Sequence, residues 1–391
     1  MILKSRSNVR HLSALSDLDS LYSLPAISVP TSNEVRLNPQ ARSVLDVNLA
    51  KTIDGLHGFG YVCCVQFAPN GKSLATARNH AVQIYNAATG SLLCTLDHDA
   101  LRLMENMYIH TLCFSPDGKH LATGAQDYKI RIWNIEQQTI VTECAGHQGE
   151  INSLTFSSDG YLLVSGSSDS TVCIWTPTYG SLEMLCRYNF DCGAVANCVA
   201  ISQDGLFVAA GSANGTISLW NVKTKAIIGT LKAHDEAITT IAFTADPKCL
   251  VTGGLDKTLK HWDIHALVSK AMRATNARIN CSPIQSVKQQ EYIFSVALLP
   301  GGHWGMSGGT DGSVRIWSMR DATLQCELLG HQAIIHTVCA SYDGTLLATG
   351  DTNGETRICK FLPLSLPVMV FVQSQSNREN PAQLYSVTKF N

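Results

Sequence analysis

The sequence is short of charge and nearly balanced in sign. Charged residues make up 15% of its 391 positions, and 29 basic side chains stand against 31 acidic ones, for a net charge of −2. A protein that grips nucleic acid over a broad surface carries a clustered basic excess, so composition argues against that class. None of the 14 cysteines forms a CxxC pair, and no zinc-ligand spacing emerges. No apolar run is long enough to span a membrane. The first residues lack the basic head, apolar centre and small-residue cleavage site of a secretory leader. A phosphate-cradling glycine loop, an HExxH pair and an isolated nucleophile with a base are missing too. The expectation is a protein without enzyme activity, cofactor, metal site or membrane anchor. Most cysteines sit singly on strand patterns, as do Cys113, Cys173 and Cys339, whereas Cys63 and Cys64 are adjacent. They are read as reduced, mostly buried thiols of an intracellular protein.

What is present is repetition. "HTLCFSPDGKHLATGAQDYKIRIWNI" returns as "NSLTFSSDGYLLVSGSSDSTVCIWTP" about 42 residues later. Aligned on the last aromatic residue, the copies place Tyr85, Trp133, Trp175, Trp220, Trp262 and Trp317 together, and a seventh copy puts Cys359 there. Each copy carries a tight-turn pair: Asn70-Gly71, Asp117-Gly118, Asp159-Gly160, Asp204-Gly205 and Asp343-Gly344, with Asp246-Pro247 and Gly301-Gly302 as departures. Such pairs join antiparallel strands, and the flanking runs alternate apolar and polar residues. A period near 42 with four short strands per unit is the signature of a WD40-repeat β-propeller. The fold class is therefore all-β, seven-bladed. Only three strands of the seventh unit follow Gly330-His331, so the orphan strand Val44–Ile53 should complete that blade and close the ring.

In WD-repeat families a His, a Ser or Thr, an Asp and the Trp form a hydrogen-bonded network inside the blade. Full sets are His147, Ser165, Asp169, Trp175 and His234, Thr252, Asp256, Trp262. The trio repeats, whereas an enzyme needs one site, so the sets are read as structural. Other blades are incomplete by spacing: Glu105 falls where the second His belongs, Asn214 and Asn353 replace the turn acid, and Tyr85 and Cys359 replace the Trp. The loops leading into the first strand of each unit should gather around the central channel with the residues before the turn acid. That places Tyr61, Tyr108, Val195, Leu255, Tyr292 and Ile334 on one rim. Aromatic anchors of this kind favour protein binding.

The wording of the repeats is more specific than the fold. "VCCVQFAPNGKSLATARNHAVQIYNAATGSLL" and "YIHTLCFSPDGKHLATGAQDYKIRIWNIEQQTIV" resemble the first two blades of the fungal Tup-type transcriptional corepressors, relatives of Groucho. The resemblance runs over about 44–361. It implies a nuclear propeller recruited by DNA-bound repressor proteins, with no sequence-specific DNA contact of its own. It makes histone tails and histone deacetylases further partners, and puts Tyr108, Leu255 and Tyr292 on the repressor-binding surface. The alternative is a non-transcriptional WD-repeat scaffold, such as a ubiquitin-ligase substrate receptor or an assembly factor. Residues 1–43 are read as an extension, with Leu12, Leu15, Leu18, Leu21 and Leu24 at helical spacing, and 362–391 as a tail. The basic stretch Ser269–Gln290 is read either as a solvated loop between blades or as a contact for histone tails or RNA.

Overall fold

The computed structural model describes residues 34–37, 45–53, 60–98, 107–177, 184–271 and 282–363. The leucine-spaced segment, Glu105 and the tail beyond 363 lie outside the described residues.

Each repeat folds the same way because its turns dictate it. In the third, Ile151–Phe156 and Leu163–Ser167 are joined through Asp159-Gly160. The Asp159 carboxylate accepts from the Ser157 hydroxyl and the Tyr161 amide, and Gly160 takes φ +74°, a value that glycine reaches without a Cβ penalty. Strands Thr171–Pro177 and Met184–Asp191 follow, giving a four-stranded antiparallel sheet. Among the described residues seven antiparallel sheets form, six of four strands and one of five. Their innermost strands are Val62–Phe67, Ile109–Phe114, Ile151–Phe156, Ala196–Ile201, Ile238–Phe243, Ile293–Leu298 and Ile335–Ala340. Each packs on the next around a central channel, and the seventh packs on the first.

Every innermost strand carries a β-bulge at its second residue. A bulged residue leaves the ladder and is re-aimed. Here it reaches toward the neighbouring blade. Asn152 donates to the Ala196 carbonyl at 3.1 Å, Asn197 to that of Ile238 at 3.1 Å, and Thr239 to that of Ile293 at 2.6 Å. At the closure, His336 Nδ1 lies 3.0 Å from the Cys63 carbonyl. A second tier lies one residue on: Ser153, Thr240, Ser295 and Thr337 accept from the amides of Val199, Val296, Val338 and Val65.

Between these tiers and the periphery lie the apolar cores, one for each pair of adjacent blades. Blades come so close that the second strands need glycine there. A Cβ on Gly124 would collide with Ile151, and one on Gly350 with Val62.

The chain ends meet as the repeats require. Strand β2 (Leu45–Ile53) pairs antiparallel with the third strand of blade 7, Thr356–Pro363, from Leu45↔Pro363 to Ile53↔Thr356. The expected closing strand, Val44–Ile53, is thus present over its described residues, Leu45–Ile53. Strand β1 (Glu34–Leu37) adds a fifth strand to the outer edge of blade 6, pairing with Leu324–Leu329. The basic stretch differs from expectation. Its described ends belong to blade 5 and do not join two blades: a short helix, α1 (His265–Ala271), follows the third strand, and Gln285–Lys288 is the fourth.

Closure predicts a stability loss. Ile53 alone is 6% exposed in the core shared by blades 7 and 1, and losing such a side chain costs about 2–5 kcal/mol. Deletion of residues 1–53 should therefore lower the melting temperature sharply. A deletion variant that melts with the full chain would contradict the closure.

Candidate functional site

The sequence-predicted structural sets assemble as hydrogen-bonded relays. An indole N–H can only donate, so Trp175 Nε1 gives its proton to Ser165 Oγ at 2.8 Å. The Ser165 hydroxyl then donates to His147 Nε2 at 2.6 Å, and His147 Nδ1–H donates to Asp169 at 2.9 Å. Asp169 also accepts from the Thr171 hydroxyl and the Gln148 amide. The second set repeats this: Trp262 to Thr252 at 2.9 Å, Thr252 to His234 at 2.7 Å, His234 to Asp256 at 2.9 Å. Burial holds His147 and His234 below the usual imidazole range despite their carboxylate partners, so both rings are neutral at pH 7. Burial works against ionising Asp169 and Asp256, yet their hydrogen bonds outweigh it and hold both below the usual carboxylate range. Ser165 and Thr252 are fully buried between strands, where no substrate reaches them.

Two of the blades read as incomplete are better furnished than their spacing suggests. In blade 2 the histidine is His98, not Glu105. Its Nε2 lies 3.2 Å from Thr123 Oγ1, which accepts from Trp133. The counting fails because His98 stands 11 residues before Ile109, where His147 stands 4 before Ile151. Asp127 is instead held by the buried Arg131, which also bonds Glu143 at 3.0 Å. In blade 7 the acid is Asp351, not Asn353. The fully buried Asp351 carboxylate sits 2.8 Å from His331 Nδ1, and His331 Nε2 is 2.7 Å from Thr349. Blade 6 substitutes Gln289 for the histidine, donating to Ser307 at 2.9 Å. Blade 4 has Ala210 at the hydroxyl register and Cys192 at the histidine position, and stacks Phe190 on Trp220 instead.

Among the described residues, His331, Asp351 and Glu355 form one group with metal-ligand atoms close together. Its acids are already engaged: Asp351 by His331 and the amides of Asn353 and Glu355, and Glu355 by Arg357 at 2.6 Å. The group is the relay of blade 7. The 13 described cysteines are free thiols, and burial pushes Cys63 up to about 12 and Cys64 up to about 11, so both stay protonated at neutral pH.

The channel face carries the remaining candidates. In five blades a backbone bond ties the loop leading into the blade to the residue before its turn: Gln126 to Tyr108, Ser168 to Glu150, Ala213 to Val195, Leu255 to Ala237, Thr352 to Ile334. The apolar side chains fall into two groups, of which Tyr61, Tyr108 and Phe294 line the central channel, a cavity of about 590 Å³. In one group the Tyr61 and Tyr108 rings meet edge to face at 6.4 Å. In the other, Leu255 packs with Ala237 and Phe294, with Tyr292 and Ile334 against them. Leu255 is 4% exposed, so it forms the floor under this group. The Lys257 ammonium lies 4.8 Å from the centre of the Tyr292 ring. Val195, half-buried on blade 4, joins neither group.

Sequence reasoning missed Phe294, which occupies the bulge of blade 6 and stacks on His336 at 5.8 Å. It also missed the channel wall of His110 and His336. The available signal was the residue after the first apolar position of each innermost strand: Cys63, His110, Asn152, Asn197, Thr239, Phe294, His336.

Seven closed blades around a central channel, with repeated His–hydroxyl–Trp relays, define a WD-repeat β-propeller. The family model described as the IFT122 first β-propeller matches residues 61–360, and the chain belongs to that β-propeller family. Several curated relatives are transcriptional corepressors or repressors by name, and another is a coronin-like protein of Saccharomyces cerevisiae, 35% identical over 20% of this chain and 11% of its own length. The general transcriptional corepressor TUP1 of Saccharomyces cerevisiae is 32% identical over a stretch covering 36% of this chain and 26% of its own length. The transcriptional repressor rco-1 of Neurospora crassa is 37% identical over 30% of this chain and 19% of its own. The transcriptional repressor tup12 of Schizosaccharomyces pombe is 34% identical over 33% and 23%. The aligned part thus spans about a fifth to a quarter of these three relatives. The propeller is related to those of the Tup-type corepressors, as the repeat wording implies.

Two outcomes follow from the relays. Asp351→Ala should cost about 1–3 kcal/mol by stranding His331 and two amides, while exposed Asn353→Ala should stay within about 0.5 kcal/mol; equal losses in urea unfolding would show that the acid is misplaced. Stability should also fall with acid. Burial holds His98 at about 3 and His110 at about 4, against roughly 6.5 in the unfolded chain. The unfolded state therefore binds more protons between these values, so stability is complete above about pH 6.5 and declines as pH drops toward 4. The urea midpoint should be lower at pH 5 than at pH 7; a higher one contradicts the sign.

Proposed function

We propose that the protein is a propeller platform for transcriptional repression, recruited by DNA-bound repressor proteins that bind the channel mouth. One observation carries this: the apolar groups around Tyr61 and Tyr108 and around Leu255, Tyr292 and Ile334 sit on a face that the blade cores do not use, in a chain several of whose relatives are named as transcriptional corepressors or repressors. Across the mouth, a helix or extended peptide would lay apolar side chains on both groups. In this reading the protein acts in the nucleus, makes no sequence-specific DNA contact and no membrane contact, and presents bound repressors to histone tails and histone deacetylases. It catalyses no reaction.

The second reading is a scaffold outside transcription, such as a ubiquitin-ligase substrate receptor or an assembly factor. It is favoured by the family match itself, which is to a propeller described by another protein's name. A pull-down from nuclear extract separates the two, yielding repressors and deacetylases in the first case and ligase or assembly subunits in the second.

The site is tested by Tyr108→Ala and Tyr292→Ala, both on half-buried residues. Leu255→Ala is less informative, because its buried side chain also supports the fold. Truncating an aromatic anchor removes about 2 kcal/mol or more of binding, roughly a thirtyfold loss. Folded variants with wild-type melting should lose partner capture and reporter repression. Full repression by both would reject the site.

A further inference from the structure

Blade 7 lacks the ring that its neighbours bury. Blades 2 to 6 end the inward row of the third strand on Trp133, Trp175, Trp220, Trp262 and Trp317. Cys359 stands at the same register, paired with Leu347 as Trp175 is with Leu163. A thiol fills little of the space that an indole takes. A cavity of about 190 Å³ lies there. An apolar cavity of about 150 Å³ takes up benzene, so this one has room for a larger fused ring.

The walls match those around the buried tryptophans. Val314 and Leu328 of blade 6 face each other across the sheet as Ile130 and Cys144 do in blade 2, and those two pack with Trp175. The polar end matches as well. Thr349 lines the cavity and occupies the register of Ser165 and Thr252. In blades 2, 3, 5 and 6 that hydroxyl accepts the indole N–H. In blade 7, His331 Nδ1–H is committed to Asp351, so its Nε2 accepts the Thr349 proton. The Thr349 oxygen remains an acceptor with no indole beside it. Arg357, anchored by Glu355 and the Gly330 carbonyl, flanks the site and brings a cation of the kind that favours aromatic rings. The mouth is bordered by β1 and β2, where Glu34, Val35 and Leu49 are exposed.

We propose that this pocket is a binding site for an indole ring, which donates its N–H to Thr349 and lies between Val314, Leu328 and Cys359. The ligand chemistry is that of free indole or of a tryptophan side chain on a partner polypeptide. The site is separate from the channel mouth and does not depend on the function proposed for it.

Titration calorimetry on the full chain with indole, indene and N-acetyl-tryptophanamide tests this. Indole should bind, and indene, of the same shape without an N–H, should bind several-fold more weakly. Cys359→Trp should supply the ring internally, abolish indole binding and raise the melting temperature. Cys359→Phe should block binding as well, and serves if the first variant fails to fold. In the unmodified chain, magnetisation transfer from indole protons should reach the Val314 and Leu328 methyls. Binding of N-acetyl-tryptophanamide alongside indole assigns a tryptophan side chain as the source; binding of indole alone assigns a free small molecule. The proposal is overturned if millimolar indole does not bind, if transfer reaches only other methyls, or if a folded Cys359 variant binds indole undiminished.

Discussion

The structure depends on how each innermost strand gives up a residue from its ladder. A propeller blade is a small sheet with two apolar faces and cannot exist alone. The bulge at the second position turns Asn152, Asn197, Thr239 and His336 from ladder members into ties to the next blade. Each tie occupies a carbonyl near the start of the neighbouring inner strand. Left bare in a buried position, such a carbonyl would carry the desolvation cost of an unmade bond. The ties therefore set the spacing at which glycines such as Gly124 and Gly350 are required and at which the inter-blade cores come into contact. The channel, its mouth and the apolar groups beside it inherit their positions from this ring.

Much of this was legible because repetition averages out local ambiguity. One apolar run ending on Trp133 says little, but the same run ending on Trp175, Trp220, Trp262 and Trp317 fixes both strand register and blade count. The closing strand was legible from arithmetic, since three strands cannot complete a blade. What stayed hidden depends on departures from uniform spacing. His98 was misplaced because extra residues separate it from Ile109. Asp351 was overlooked because the carboxylate comes from two residues before the expected position, at the end of the second strand. Strand β1 carries only four residues and no repeat to announce it.

The contacts among the candidate residues were less legible than the repeats. Sequence alone could not sort them into an edge-to-face pair of Tyr61 and Tyr108 and a packed group of Leu255, Tyr292 and Ile334 with a buried floor, nor leave Val195 outside both. Nor could it show that Phe294 joins the second group, because bulged residues break the alternation by which inward positions are counted. The relays carry the same lesson in reverse. Their His, Asp and hydroxyl groups have the chemistry of a catalytic triad, and only their burial and repetition mark them as supports.

The ties between blades make the ring stand or fall as a unit, despite blades of unequal furnishing. Native-state hydrogen exchange measures this directly on the amides of Val65, Phe114, Val199, Val296 and Val338, each of which donates to a side chain of a neighbouring blade. If the ties couple all seven blades, these amides exchange only through global opening, with one common free energy that falls in parallel as denaturant is added. Faster exchange of Val65 and Val338, on blades 1 and 7 that both lack the tryptophan, with Val199 still protected, would show blades opening singly and would contradict the account.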